Sequence, residues 1–314
     1  MRRLLDLFLT PPDTFVRGLA LANLIANIGI VVTGGAVRLT GSGLGCPTWP
    51  RCTDDSLTPH SELGIYGVIE FGNRLLTYVL VAIAVATWLA ILRWRPMRRR
   101  PLVLATGIAL GIPFQGVIGG ITVLTDLNPW IVAFHMLLSM ALIAGATVLL
   151  IWVHRPYGET GEPIASRSAR QLVALTYIAL WAALYIGTIV TGSGPHAGDL
   201  DARRNGLDPA AMSQLHADAV FILLGLSIGC VFVFRALRLP ARPPIVFLLV
   251  GLAQGLVGFV QYFTNLPIAL VATHMLGAAT LVACGTWLMC AAYARAETST
   301  ATIEATTSGT EPRS

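Results

Sequence analysis

Apolar runs of roughly 20 residues recur along this chain, and each is long enough to cross a lipid bilayer. Such runs fold as helices in lipid, because every backbone polar group there must find its hydrogen-bond partner within the protein. The 314 residues are 55% hydrophobic and only 12% charged, whereas a soluble domain carries about 25% charged residues. The sequence therefore predicts an all-α integral membrane protein.

The apolar runs and the polar breaks between them predict eight transmembrane helices. Their expected ranges are about 18–37, 64–92, 102–124, 130–153, 171–191, 211–234, 244–264 and 268–293. We expect two pseudo-symmetric four-helix bundles, with a cytoplasmic N-terminal segment (1–17), an N-terminal half (18–153), a cytoplasmic linker (154–170), a C-terminal half (171–293) and a disordered cytoplasmic tail (294–314).

The arginines indicate how these helices are oriented. One set of flanks carries only Arg38, Arg51, Arg203 and Arg204, and most of the remaining arginines lie in the opposite flanks. Because basic residues are enriched in cytoplasmic loops, both termini are predicted to be cytoplasmic and the loops at about 38–63 and 192–210 to face outward. Since the arginines are spread over short loops, the net positive charge does not indicate a nucleic-acid partner.

The sequence also contains an internal repeat. The segment GVIGGITVLTDLNPWIVAFHML (116–137) aligns without a gap with GLVGFVQYFTNLPIALVATHML (255–276). The aligned pairs are Gln115 with Gln254, Gly119 with Gly258, Thr125 with Thr264, and His135 with His274. Because the matching helices run in the same direction, the repeat is parallel and is expected to follow an axis along the membrane normal.

Three histidines lie within predicted spans, namely His135, His216 and His274 on the fourth, sixth and eighth helices. Each lies about five to eight residues from the outer end of its helix, which is roughly 10 Å deep at ~1.5 Å per residue. They could be hydrogen-bonded contacts between helices. Three imidazoles at one depth favour metal or haem ligation, with His216 and His274 as the two axial ligands of one haem iron. Zinc is less favoured, because no further suitable ligand lies nearby.

The predicted second helix contains polar residues in the stretch VIEFGNRLLTYVL (68–80). Glu70, Asn73 and Arg74 lie at the depth of the three histidines. An ionisable residue inside a membrane is costly and is a candidate for function. A structural alternative is that Glu70 pairs with Arg74 four residues later on the same helix face, and Arg74 could instead meet a haem propionate.

The first outer loop reads RLTGSGLGCPTWPRC and contains Cys46 and Cys52. A disulfide between them is plausible because the loop faces an oxidising compartment, and the spacing does not decide between a structural and a redox role. The remaining cysteines, Cys230, Cys284 and Cys290, lie in apolar helices and are expected to be packing residues.

Taken together, TGGAVRLTGSGLGCPTWPRC, the EFGNR segment and the histidines on helices 4, 6 and 8 resemble the haem A synthase (CtaA) family. The resemblance covers about residues 18–293, and the basic residues, which are all arginine, would suit an actinobacterial member. It implies eight helices in two similar halves and an oxidoreductase that oxidises the C8 methyl of haem O to a formyl group by successive hydroxylations, for haem–copper oxidase assembly.

The resemblance also implies residue roles. His216 and His274 match the ligands of haem b, His135 matches the ligand of the substrate haem, and Glu70 matches a functional glutamate. Cys46 and Cys52 match the family's outer-loop cysteines. The implied partners are haem O as substrate and haem A as product, membrane lipid, haem O synthase, cytochrome oxidase assembly factors and an unidentified electron donor.

The chain departs from the family pattern in two places. Asn73 stands where the usual Glu-x-x-His motif has histidine, so Asn73 and Arg74 are expected near the substrate haem without a second histidine there. The second outer loop lacks the cysteine pair that some members carry. Two other functions remain open: a dihaem b-type electron-transfer protein without substrate chemistry, and a membrane transporter with two repeats.

Overall fold

The computed structural model describes residues 8–94, 99–155, 162–199 and 201–295. Eight long helices account for most of these residues, and a single turn of 3₁₀ helix, Ser61–Leu63, precedes the second of them. The helices are α1 Asp13–Leu39, α2 Gly64–Arg93, α3 Arg99–Leu124, α4 Pro129–His154, α5 Arg167–Ser193, α6 Pro209–Ala236, α7 Arg242–Phe263 and α8 Ile268–Ala292.

All eight helices are long and apolar enough to cross a membrane, so the predicted all-helical fold with eight spans is confirmed. Which side each end faces stays a prediction. Most of the predicted tail at 294–314, and parts of the segments at 1–17 and 154–170, lie outside the described residues.

Local sequence explains where three of the helices begin. Asn128 accepts a hydrogen bond from the Trp130 backbone N–H at the start of α4, and Asp208 accepts one from Ala210 at the start of α6. Ser166 accepts one from the Ala169 N–H at the start of α5. Such side chains satisfy backbone N–H groups that have no partner within the first turn.

The helices contact one another in two closed rings. The first runs α1–α2–α3–α4 with α4 against α1, and the second runs α5–α6–α7–α8 with α8 against α5. Helices α1 and α4 also contact α8, and α4 contacts α5. This pattern supports two four-helix halves, while their domain boundaries and pseudo-symmetry stay predictions. Within each ring the even-numbered helices lie diagonally opposite, so residues facing inward from them border the same interior space.

The internal repeat is visible in the backbone of two turns. Asp126 and Leu127, between α3 and α4, both have positive φ, at 51° and 55°. Their repeat counterparts between α7 and α8, Asn265 and Leu266, have φ of 60° and 57°. Side chains other than glycine rarely adopt this left-handed conformation. Its occurrence at two consecutive residues in both copies indicates that the turns are built alike.

The two halves approach closely where α1 meets α8. A Cβ placed on Gly35 would lie 2.6 Å from the Met275 sulfur atom, so a larger residue at position 35 would force Met275 to move. The apolar core around the first ring also includes Ala279 and Val282 from α8. The halves therefore share packing along their length.

Candidate functional site

Glu70 is buried on α2 with 5% of its surface exposed. Its Oε2 atom accepts a hydrogen bond of 2.7 Å from the backbone N–H of Cys46. Its Oε1 atom accepts from Nε of Arg74 at 3.1 Å and forms an ion pair with Nη2 of the same residue. The pairing with Arg74 considered from the sequence is therefore present, and the outer loop also contacts the carboxylate.

Arg74 joins α2 to the loop between the two cysteines. It donates from Nη1 to the carbonyl oxygens of Thr48 and Arg51, at 3.0 and 3.1 Å, and from Nη2 to that of Cys46 at 3.0 Å. A guanidinium has five N–H donors, and these three bonds with the two to Glu70 account for all of them. A haem propionate could contact this guanidinium only by displacing one of these acceptors.

The loop is closed by a disulfide between Cys46 and Cys52, as predicted. Neither cysteine is exposed to solvent, so the bond is shielded while the loop lies on α2. The other three cysteines, Cys230, Cys284 and Cys290, are free and lie within helices.

Asn73 faces α1. Its Oδ1 atom accepts a hydrogen bond of 2.8 Å from the hydroxyl of Thr33, and its Nδ2 atom would lie 3.9 Å from a Cβ on Gly34. Both residues belong to the VTGG segment (32–35), which has the similar segment VTGS at 190–193 near the end of α5. The amide is thus oriented by the end of α1.

His135 lies on α4 against a glycine of α3. A Cβ on Gly119 would lie 3.4 Å from Cε1 of the imidazole, so the absence of a side chain there makes room for the ring. Gln115, on the same face of α3, donates from Nε2 to the His135 carbonyl at 2.9 Å and to the Ser139 hydroxyl at 2.5 Å. These bonds fix the backbone that carries the imidazole. Within the described residues, the ring itself forms no hydrogen bond to Glu70, Asn73 or Arg74.

His216 and His274 face each other across the second ring of helices. Their ring centres are 6.5 Å apart and their planes differ by 78°. Each ring also faces a glycine: a Cβ on Gly187 would lie 3.1 Å from Cε1 of His216, and one on Gly258 would lie 3.5 Å from Cε1 of His274. The Gly258–His274 contact repeats the Gly119–His135 contact of the first half. The predicted pair of facing imidazoles is therefore found, each in a gap left by a glycine.

Each of the three histidines has a buried ring nitrogen without a hydrogen-bond partner. In the described part of the chain, the buried polar side-chain atoms without such a partner are Nδ1 of His135, His216 and His274 and Oε1 of Gln115, Gln254 and Gln261. Leaving such an atom unsatisfied costs about 1–3 kcal/mol. Native proteins rarely accept that cost repeatedly. The surroundings of His135, and those of His216 and His274, are therefore suited to a bound group that supplies polar or metal partners.

The 6.5 Å separation of the His216 and His274 ring centres is compatible with a haem iron between them. Metal–nitrogen bonds of about 2 Å, plus about 1.2 Å from each nitrogen to its ring centre, set two axial imidazoles about 6.4 Å apart. The three imidazoles and the surrounding glycines therefore suit haem. The described residues contain no group of three or more His, Cys, Asp or Glu side chains that would suggest another metal site.

The sequence did not predict a role for Trp49. Its indole lies on α3, where a Cβ on Gly120 would be 2.7 Å from Cγ of the tryptophan. The His135 ring thus packs on Gly119, and the Trp49 ring packs on the adjacent Gly120. The glycine pair was visible in the sequence as a signal of close packing, although it did not reveal which side chain packs there.

A second missed contact lies between the outer loops. Arg38, at the end of α1, donates from Nε to the His196 carbonyl at 2.5 Å and from Nη2 to the Thr191 carbonyl at 2.6 Å. Nε2 of His196 lies 3.0 Å from the carbonyl of Leu266. No role was assigned to His196 from the sequence, but it connects the second outer loop to both halves.

The fold and the site define a polytopic helical membrane protein in which imidazoles of each half have a buried Nδ1 atom without a hydrogen-bond partner. Residues 17–198 match the model of the COX15-CtaA family, described as cytochrome oxidase assembly protein. The chain belongs to this family. The matched range includes Glu70, Asn73 and His135 but ends before His216 and His274, whose assignment rests on the sequence pattern and the structure.

Similar curated proteins carry the name heme A synthase. The chain is 28% identical over 182 residues to one from Alkalihalophilus pseudofirmus, which covers 56% of this chain and 60% of that protein. It is 34% identical over 129 residues to one from Lysinibacillus sphaericus, and this alignment covers 40% of this chain and 41% of that protein. It is also 33% identical over 150 residues to one from Geobacillus thermodenitrificans, and this alignment covers 46% of this chain and 45% of that protein. The alignments thus span between about two fifths and three fifths of the length of these relatives. The expectation of an actinobacterial-type member is not borne out by these relatives.

Proposed function

We propose that this protein is a haem A synthase, a membrane oxidoreductase that acts on haem O. The proposed reaction oxidises the C8 methyl group of haem O to a formyl group by successive hydroxylations, and haem A would serve haem–copper oxidase assembly. Support comes from membership of the cytochrome oxidase assembly family and from relatives named heme A synthase.

The observation that carries this proposal is the 6.5 Å separation of the His216 and His274 ring centres. These residues would hold haem b in the C-terminal half, and haem b would supply one-electron transfer there. With both imidazoles as its ligands, this haem would serve electron transfer and would not bind the substrate. Gly187 and Gly258 give the two rings the space in which to adopt this arrangement.

In the N-terminal half, His135 would hold the substrate haem from the α4 side. Gln115 positions it by binding the His135 carbonyl. On the diagonally opposite helix stands Asn73, whose amide is a weak metal ligand compared with imidazole and is already bound by Thr33. The substrate haem would therefore have one histidine ligand in this protein, which leaves its other face available for the reaction.

Glu70 is the candidate proton donor or acceptor for this half. A carboxylate held at the depth of the imidazoles is costly and suits such a role. Its two oxygens also accept bonds from Arg74 and Cys46, so it holds the loop in place as well. The chemical and the structural role are compatible, and matched variants can distinguish them.

Expression with a haem O synthase, followed by extraction and mass analysis of the pigments, tests the reaction. The parent protein is expected to yield haem A, and His216→Ala to lose the haem b absorption spectrum and haem A together. Recovery of haem b and unmodified haem O alone would favour a b-type electron-transfer protein. Purified protein without Soret absorption would favour a transporter. Either result would contradict the proposal.

Haem O, membrane lipid, haem O synthase, cytochrome oxidase assembly factors and an electron donor are the proposed partners, with both termini in the cytoplasm. Replacing single arginines by cysteine tests which side of the membrane each loop faces. A cysteine introduced at Arg167, before α5, should react with a membrane-impermeant maleimide only in inside-out vesicles, whereas one introduced at Arg203 should react in intact spheroplasts.

A further inference from the structure

The loop from Cys46 to Cys52 contacts the N-terminal half on two sides. On one side it is bound to α2 by Glu70 and Arg74, and on the other the Trp49 indole rests on Gly120 of α3. Helices α2 and α3 are neighbours in the first ring. The loop therefore spans the outer end of these two helices and is anchored to both.

Arg74 is the main anchor on the α2 side. It binds the carbonyl oxygens of Cys46, Thr48 and Arg51, which come from the start, middle and end of the loop. Lysine could not reproduce this arrangement, because its single ammonium group lacks the planar fork of donors. Close backbone packing adds to the anchor, since a Cβ on Gly67 would lie 3.2 Å from the Gly45 carbonyl oxygen.

Trp49 and His135 pack on neighbouring residues of α3. The Trp49 indole and the His135 ring contact Gly120 and Gly119, which are consecutive residues of α3. Tryptophan presents a large flat apolar surface that stacks well on other aromatic systems. Consecutive helix residues point about 100° apart, so a planar macrocycle on His135 would reach the indole by extending from one face of α3 to the next.

We infer that the Cys46–Cys52 loop is the outer wall of the N-terminal site, that Arg74 positions this wall, and that Trp49 contacts the planar substrate bound at His135. The docking of the loop follows from contacts within the chain alone. The contact of Trp49 with substrate rests on the proposed function, because it takes haem O as the ligand.

Reduction of the disulfide in the folded, purified protein measures docking without any haem chemistry. Since both cysteines are fully buried, a water-soluble phosphine can reach the bond only when the loop leaves α2. New thiols at Cys46 and Cys52 are labelled after quenching and quantified by peptide mass analysis. Loss of charged hydrogen bonds in Arg74→Gln should raise the reduction rate about 10- to 100-fold.

Arg204→Gln is the matched control, because Arg204 also binds loop carbonyls, those of Ala202 and Pro195, but in the second outer loop. Its reduction rate should equal that of the parent. If Arg74→Gln stays within twofold of the parent while retaining its helical circular dichroism, the positioning role is wrong.

A second pair of variants keeps the inference testable if Arg74→Gln does not fold. Gly120→Ala introduces a methyl group against the Trp49 ring, and should also speed reduction. Gly107→Ala lies on the same helix with nothing within 4 Å of its added Cβ, and should not. Equal reduction rates for Gly120→Ala and Gly107→Ala would overturn the docking of Trp49 on α3.

Transfer of haem O from the loaded protein to apomyoglobin tests the substrate contact. Trp49→Ala should raise the haem O dissociation rate about 3- to 10-fold, the loss expected for one aromatic contact, and Trp49→Phe should largely retain the parent rate. Trp130→Ala is the control, since Trp130 lies half exposed at the start of α4. An unchanged rate in Trp49→Ala would overturn the contact and leave the proposed function intact.

A parent protein that binds no haem O would refute both the proposed function and the substrate contact, and the reduction rates would still decide whether the loop is docked. The same assays separate the two roles of Glu70. If Glu70→Gln abolishes haem A formation while the disulfide stays protected, the carboxylate acts in the chemistry. If it loses haem A and protection in parallel, as expected for Arg74→Gln, it acts by positioning the loop.

Discussion

Replacing Gly277 by alanine would place a methyl group where the side chain of Gln254 now lies. The added Cβ would be 2.5 Å from Cδ of Gln254 and 3.2 Å from its Oε1 atom, and closer still to Nε2. The amide would therefore have to leave its position beside α8, one turn after His274. Overpacking of this kind costs about 1–3 kcal/mol, and the gain from alanine within a helix offsets about 0.5–1 kcal/mol of it.

We therefore expect Gly277→Ala to lower the free energy of unfolding by up to about 2.5 kcal/mol. Titration with SDS in mixed micelles, followed by helical circular dichroism, measures this change. In a Gln254→Ala background the clash is absent, so the same substitution should be neutral or stabilise by up to about 1 kcal/mol. Gly255→Ala, with nothing within 4 Å of the new Cβ, is the control. An equal effect of Gly277→Ala in both backgrounds would refute the reasoning.

Three further outcomes are expected. Gln115→Leu should lower the free energy of unfolding by about 1–2 kcal/mol in the same titration, because the carbonyl of His135 and the hydroxyl of Ser139 lose a donor; no change would mean that these bonds contribute nothing net. If haem O binds at His135 as proposed, Asn73→His should convert it from high-spin to low-spin in electron paramagnetic resonance, and an unchanged high-spin signal would place residue 73 away from the iron. Arg38→Gln should lower the unfolding midpoint measurably, as it removes two charged hydrogen bonds between the halves, whereas the exposed Arg203→Gln should leave the midpoint where it is.

Much of the fold could be predicted from the sequence, because crossing a bilayer imposes the length and composition of each helix. The second helix was expected at about 64–92 and runs from Gly64 to Arg93. The first was expected at about 18–37 but begins at Asp13. Its first turn contains Asp13 and Arg17, which form an ion pair at 3.8 Å. An apolar run does not include such polar turns, so helix ends in the polar flanks were placed too far inside.

The site was predictable where local pattern or repetition encodes it. The repeat aligned His135 with His274, and both rings pack on repeat-related glycines. The contacts of Arg38 with Thr191 and His196 join residues more than 150 positions apart. The packing of Trp49 on α3 likewise depends on how a loop folds back over the helices. Neither has a periodicity or a motif, because each arises only when the complete fold brings distant segments together.

The position of Arg38 has a consequence for synthesis of the chain. Its two acceptors lie 153 and 158 positions further along, so they leave the ribosome about 8 to 30 s later at about 5–20 residues per second. During that interval the first four helices can insert, but the guanidinium at the end of α1 has neither of these partners. The end of α1 is therefore joined to the segment around the end of α5 only after the fifth helix has been translated, which makes this joint a late step in biogenesis.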